Sequence, residues 1–210
     1  MSDTLQVRLD AGLEQMGLTL DAAATAALLR YVAGLVKWNQ AYNLTAVREP
    51  EQMVIKHLLD SLSILPHAGS GSLIDVGTGA GLPGLVLAIV QPQRAVTLLD
   101  SNGKKTRFLK QMAAELGLAN VSVAQARAEA FAGQFDRVTS RAFASLADMV
   151  NWCAHLLAPE GRFLAMKGQL PAAEIAALPA GYRVEAVHSL RVPFLDEERH
   201  LVCISRSAGH

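Results

Sequence analysis

Only two of the 210 residues are cysteines, Cys153 and Cys203, too few for a disulfide scaffold. The opening residues Met1-Ser2-Asp3-Thr4 lack the basic flank, apolar stretch and small-residue cleavage site of a secretory leader, so a reduced, cytoplasmic setting is the expectation. No apolar run approaches the roughly 18 residues of a membrane span. The longest candidate, 81–90, is broken by glycine and Pro83, and no membrane partner is expected. Net charge is lacking too. Nineteen Lys+Arg balance 19 Asp+Glu, which excludes a polycation that coats nucleic acid indiscriminately and leaves room only for a local basic patch. The histidines at 57, 67, 155, 188, 200 and 210 are dispersed without paired ligand spacing, so no metal is expected.

What is present divides into two parts near 66–71. Residues 3–63 read as helical: Asp21 is a plausible N-cap, Leu28, Val32, Leu35 and Val36 recur at helical spacing, and Pro50 opens a further helix over 50–64. From residue 72 strands alternate with helices, the pattern of a parallel sheet covered on both faces. The spacing predicts strands at 72–77, 95–100, 120–124, 135–140 and 161–167, with helices at 82–91, 103–117, 145–157 and 171–178. The extended runs 182–192 and 200–205 leave no room for a crossover helix and must pair antiparallel. The expected architecture is α/β, with 1–66 a helical extension and 67–210 the sheet domain.

The predicted first strand runs into Gly77-Thr78-Gly79-Ala80-Gly81-Leu82-Pro83-Gly84 and then a helix, a junction that brings backbone N–H groups to a ligand without Cβ obstruction. Two frames compete. Gly79-x-Gly81-x-x-Gly84, with Asp100 about twenty residues on, matches the dinucleotide fingerprint and would make the chain an NAD(P)-dependent oxidoreductase. Gly77-x-Gly79-x-Gly81, directly after the strand and preceded by Asp75, fits the strand better. It resembles the first motif of methyltransferases that use S-adenosylmethionine, with Asp100 placed as bidentate acceptor for two ribose hydroxyls. The antiparallel tail agrees with the second frame.

Missing groups narrow the acceptor. Both cysteines sit in apolar contexts that suit core positions, which disfavours a thiol nucleophile. The strand at 135–140 leads into Arg141-Ala142-Phe143-Ala144, without the Asn/Asp-Pro-Pro-aromatic loop common in exocyclic-amine methylation. A ring nitrogen with a free lone pair, such as guanine N7, needs neither thiol nor base. Lys104, Lys105, Arg107 and Lys110 cluster at a predicted helix start, where cations oppose the macrodipole; phosphate contact would explain that cost, a solvated helix face being the other reading. Trp38 reads as core ahead of a base-stacking platform. His57, Asp60 and Ser61 share a helix face that either caps the sheet domain or lines a substrate entrance.

Several strings are narrower. Trp38-Asn-x-x-x-Asn43-Leu44-Thr45, His57-Leu-Leu-Asp60-Ser61, Asp75 to Gly84, Leu99-Asp100-Ser101, Lys105-x-Arg107-Phe108, Ser140-Arg141-Ala142-Phe143, Lys167-Gly168 and Glu198-Arg199-His200 together resemble the bacterial 16S rRNA guanine-N7 methyltransferases, also known as glucose-inhibited division protein B, over nearly the whole chain. The resemblance implies a Rossmann-like class I methyltransferase sheet with an antiparallel last strand. It implies a cytoplasmic, monomeric enzyme that makes 7-methylguanosine in the 530 loop of 16S rRNA, within the small ribosomal subunit or its precursor, and whose loss in the family accompanies low-level streptomycin resistance. On that likeness S-adenosyl-L-methionine would be held by Asp75, Gly77, Gly79, Gly81, Leu82, Asp100, Ser101, Ala128, Glu129 and Arg141. Arg141 and Arg199 would act at the target base, and Lys104, Lys105, Arg107, Lys167 and His200 would bind substrate. A non-catalytic ribosome assembly factor is the other alternative, against which the intact Asp75, glycines and Asp100 argue.

Overall fold

The computed structural model describes residues 2–141 and 145–207, so Ala142, Phe143 and Ala144 of the Ser-Arg-Ala-Phe string lie outside the described residues. Helix α1 (Ser2–Met16) is followed by α2 (Ala22–Tyr42), whose N-cap is Asp21: its side chain accepts from the Ala24 N–H at 2.7 Å. Leu28, Val32 and Leu35 are buried on the predicted stripe, and α2 stops where Asn43 turns left-handed at φ 50°. The run opened by Pro50 is not one regular helix. It comprises α3 (Pro50–Met53), a π-helical stretch (Val54–Leu59) and α4 (Asp60–Leu62). Val54, Ile55, His57, Leu58 and Leu59 of the π stretch are all buried, so no exposed face imposes the 3.6-residue period that the spacing suggested.

The sheet contains β1 (Leu73–Val76), β2 (Val96–Asp100), β3 (Val121–Gln125), β4 (Phe135–Ser140), β5 (Leu157–Lys167), β6 (Tyr182–Leu190) and β7 (Arg199–Arg206). Between them run α5 (Gly84–Val90), α6 (Gly103–Glu115), α7 (Leu146–Cys153) and α8 (Ala172–Ala176). The strand order is β3-β2-β1-β4-β5-β7-β6, parallel except for β7, which is antiparallel to both β5 and β6. This is the expected doubly wound sheet with its inserted antiparallel strand. β5 begins at Leu157, ahead of the expected 161, because α7 gives way to a 3-10 turn (Ala154–Leu156).

One core cluster joins the N-terminal helices to the sheet: Leu9, Leu28, Tyr31 and Leu58 pack with Leu85, Phe108, Leu164 and Leu201. At about 1.5–3 kcal/mol for each large apolar side chain hidden from water, this shared core holds α1–α4 against the sheet firmly. Trp38 belongs to it, stacked on Tyr42 at 5.3 Å and edge-on to Phe108 at 5.6 Å, as its core reading required. A second cluster, Ile74, Val138, Met149 and Phe163 among others, packs α7 on the opposite face. Chain order reverses between β1 and β4, and the crevice beyond the carboxyl ends of strands at such a switch point is where doubly wound sheets bind ligands.

Candidate active site

At that crevice β1 ends and the chain turns through Gly77 (φ 67°) and Gly79 (φ 60°), left-handed conformations that strain any other residue. No atom lies within 4 Å of where a Cβ would stand on either, so the loop presents bare backbone to open space. Gly84 has a different task. A Cβ there would come within 2.7 Å of the Asp75 Cβ and 2.5 Å of Leu98 Cδ2, so glycine lets α5 close upon β1 and β2. Gly81 and Leu82 form the protein side of the loop: a Cβ on Gly81 would meet Leu85 and Leu109, and Leu82 is buried.

Asp75 lies fully buried beneath this loop and shapes it. Its Oδ2 accepts hydrogen bonds from Thr78 Oγ1 and the Gly84 N–H, both at 2.7 Å, while Oδ1 meets no donor among the described residues. Burial pushes the carboxyl up to about 7, against the pull of those two bonds and of the nearby Arg141 charge. From the other side, the buried Tyr31 hydroxyl of α2 donates to the Ala80 carbonyl at 2.6 Å. The loop is thus tied down both by β1 and by the N-terminal helices.

Beside it opens a cavity of about 350 Å³ lined by Gly77, Asp100, Ser101, Ala128, Glu129 and Trp152, among others. Asp100 takes the Gly79 N–H on Oδ2 and the Asn102 N–H on Oδ1, each at 2.9 Å, which fixes the carboxylate at the cavity and leaves each oxygen a second lone pair. An open glycine cradle and a held bidentate acceptor suit a nucleoside whose ribose carries two free hydroxyls. The residues therefore fit S-adenosylmethionine.

A second cavity, about 290 Å³, lies at the carboxyl ends of β4 and β5 and the start of β7; Lys56, His57, Asp60, Arg141, Lys167 and Arg199 are among its lining residues. Asp60, 3% exposed, gives one oxygen to each arginine: Arg141 Nη1 donates to Oδ2 at 3.2 Å and Arg199 Nε to Oδ1 at 3.0 Å. Arg141 Nη1 also donates to the Lys56 carbonyl of the π-helical stretch at 3.0 Å. Burial raises the Asp60 carboxyl above its ordinary range, opposed by both guanidiniums. His57 is pushed down to about 4, first by burial and then by the Arg141 charge, so it is neutral at physiological pH; its Nε2 pairs with Thr45 Oγ1 at 2.8 Å. Lys167 pairs with Glu174 at 2.9 Å, and His200 Nδ1 meets the Gly168 carbonyl at 2.7 Å.

Arg141, Lys167 and Arg199 are therefore brought together as expected, with His200 alongside through Gly168, whereas Arg141 lines this pocket rather than the cofactor cavity. Lys104, Lys105 and Arg107 stand apart at the start of α6, where Asn102 Oδ1 caps the helix by accepting from the Lys104 and Lys105 N–H groups at 2.9 and 3.3 Å. Both lysines do occupy the first turn. Lys104→Glu with Lys105→Glu should weaken binding of small-subunit rRNA and flatten its salt dependence by about one to two units of slope; an unchanged slope would return the patch to solvated surface. Three participants escape the sequence reading: the anchoring role of Asp60, the Tyr31 tie and Trp152 in the cavity wall. A tyrosine or tryptophan on an apolar helical stripe gives no sign of being more than core.

Comparison with known proteins accords with this geometry. A family model described as GidB, rRNA small subunit methyltransferase G, matches residues 24–202. The ribosomal RNA small subunit methyltransferase G of Pseudomonas paraeruginosa is 56% identical over 200 residues, covering 94% of each chain. That of Erwinia tasmaniensis is 56% identical over 201 residues, covering 95% of this chain and 98% of its own. Among solved structures, TrmN from Thermus thermophilus superposes with a TM-score of 0.59 at 20% identity, over 70% of this chain and 48% of that one. The glycopeptide N-methyltransferase MtfA complexed with S-adenosylmethionine gives 0.58 at 15% identity, over 72% and 88%. At such identities the structures speak for the fold alone.

Proposed function

Because the chain belongs to the rRNA small subunit methyltransferase G family and uses S-adenosylmethionine, we propose that the atom it methylates is N7 of one guanine in the 530 loop of 16S rRNA. The observation that carries this reading is a pocket furnished with donors, in which the carboxylate and the imidazole among the described lining residues are already engaged. Both Asp60 oxygens are committed to arginines, His57 spends one nitrogen on Thr45 and buries the other, and both cysteines are buried, with Cys153 pushed up to about 12. An amine or a carbon acceptor must shed a proton; N7 has none to shed.

When bound, S-adenosylmethionine supplies an electrophilic methyl group on a sulfonium. The rest is positioning. Gly77 and Gly79 admit the cofactor's backbone-facing side, Asp100 holds the ribose, and Ala128 and Glu129 border the adenine. Arg141 and Arg199 line the pocket with Asp60 bridging them, Arg199 being held also by Glu197 and the Glu198 carbonyl; their remaining N–H groups would meet guanine O6 and the adjoining phosphate, matched acceptors for an arginine fork. Lys167 lines the same pocket, and His200 stands opposite it across β5 and β7. The enzyme works in the cytoplasm on the small subunit or its precursor.

Purified protein incubated with labelled S-adenosylmethionine and small-subunit particles lacking the modification should place label at N7 of a single 530-loop guanine. Label at another 16S position would keep the enzyme class and overturn the acceptor. No label, with cofactor binding intact, would overturn the particle as substrate.

A further inference from the structure

Away from both cavities, the sheet register aligns cations. Arg137 of β4 stands opposite Arg162 of β5. Because Phe163 pairs with Ile204, the next position places Ser205 of β7 beside Arg162, and Ser205 in turn pairs with Arg183 of β6. Four neighbouring strands carry arginine, arginine, serine and arginine in one row on one face. Like charges set opposite one another destabilise a sheet, and Arg137 shows it: its guanidinium is pushed below its ordinary range by burial and then by Arg162. In a chain of zero net charge, this row is a local concentration and not a general excess.

The acidic neighbours Glu160, Glu185 and Asp136 offset the row only in part. The β6 register slips between Val184 and Ala186, and Glu185, at that bulge, pairs with Arg162 Nε while standing 3.7 Å from Arg183 Nη2. One carboxylate thus orients two guanidiniums. Asp136 Oδ2 is held by Ser72, accepting from its N–H at 2.8 Å and its hydroxyl at 2.9 Å, and its charge supports the neighbouring Arg137. Arg162 and Arg183 remain 45% and 60% exposed and line a cavity of about 500 Å³ with Glu160, Glu185 and Arg206, the last donating to the Ala158 and Ala154 carbonyls at 2.9 and 2.7 Å. None of Arg137, Arg162 and Arg183 lines the target pocket or the cofactor cavity, and Arg137 precedes Arg141 by four residues, about 13 Å at ~3.3 Å per extended residue.

We infer that this row is a second anion site, which binds the phosphodiester backbone of the rRNA outside the target pocket. The inference rests on the rRNA reading above, though not on which guanine is modified. Pre-oriented, half-exposed arginine forks match phosphate oxygens in geometry and charge. Their contribution is to hold the particle, not to promote the chemistry, so it should appear in KM and in salt dependence.

The test compares wild type, Arg183→Gln and Arg162→Gln/Arg183→Gln. For the double variant, KM for small-subunit particles should rise about tenfold, with kcat and cofactor Kd unchanged, and the log–log salt slope for binding 16S rRNA should become shallower by about 1.4, or ~0.7 per lost phosphate contact. Arg183→Gln alone should leave Tm unchanged or higher, since it relieves the row. An unaltered KM and slope, with Tm lowered, would make the arginines a structural ion-pair network and overturn the site. If poly-glutamate binds wild type but not the double variant while the rRNA slope is unmoved, the surface serves an acidic protein and not RNA. A wild type that neither binds nor methylates the particle would defeat the rRNA reading itself, a result separable from any difference between variants.

Discussion

Asp60→Asn should lower kcat/KM for small-subunit particles by about a hundredfold or more while cofactor Kd stays within about twofold. The substitution preserves shape and one carbonyl acceptor, yet it removes the charge shared by two guanidiniums and turns an amide donor toward one of them. Removing one partner of a fully buried ion pair costs about 3–5 kcal/mol; here the stability loss should be smaller, because Arg199 keeps Glu197 at 3.0 Å and both guanidiniums reach solvent, so the effect falls on their placement. Asp60 is only 3% exposed, and each of its oxygens holds one arginine; its effect passes through Arg141 and Arg199, and a displacement of about 1 Å in such groups can cost a hundredfold. Steady-state kinetics beside calorimetric cofactor binding will decide it. Equal losses in turnover and cofactor affinity would mean that Asp60 supports the whole structure. On an Arg199→Ala background the same change should cost markedly less, because the two residues act as a unit.

Asp75→Ala should raise cofactor Kd about thirtyfold or more, whereas Asp75→Asn should change it only a few fold. Alanine strands two buried donors, the Thr78 hydroxyl and the Gly84 N–H, at about 1–3 kcal/mol each. An asparagine oxygen accepts the same two bonds. The asparagine variant also exposes a pH effect. The Asp75 carboxyl lies at about 7 in the fold against an ordinary 3.8, so the folded chain holds its proton more tightly and this group's stabilisation is lost as pH rises from about 4 through 7. His57 runs the other way: at about 4 against an ordinary 6.5, it resists a proton that the unfolded chain accepts, and stability is lost as pH falls from 6.5 toward 4. The two slopes oppose each other across one window. With Asp75→Asn, Tm should rise more steeply from pH 4.5 to 6.5 than in wild type; parallel profiles would show that Asp75 is ionised throughout.

The sheet was legible because its strands are short apolar runs bounded by glycine and proline, and because 182–205 cannot hold a crossover helix. The cofactor loop was legible for a like reason: glycine spacing after a strand is a local signal, and Asp100 closes β2 at a fixed distance along the chain. The second pocket is not local. Arg141 and Arg199 meet only because β4, β5 and β7 are neighbours, and without the family likeness nothing in the order of residues joins them. The grouping of His57, Asp60 and Ser61 on one face was visible, but the π-helical turn preceding Asp60 and the arginines it holds depend on packing against the sheet. The Arg137–Arg162–Arg183 row is more hidden still, since it needs four strand registers and a bulge.

β7 follows β6 in the chain yet stands between β5 and β6. Until β7 docks, β5 is therefore open along one side and β6 has no neighbour to pair with. Arg199 arrives with the same strand that closes this gap. A chain that has not yet placed this strand carries an open sheet edge and only one of the two arginines that Asp60 holds, so closing the sheet and completing the target pocket are a single event.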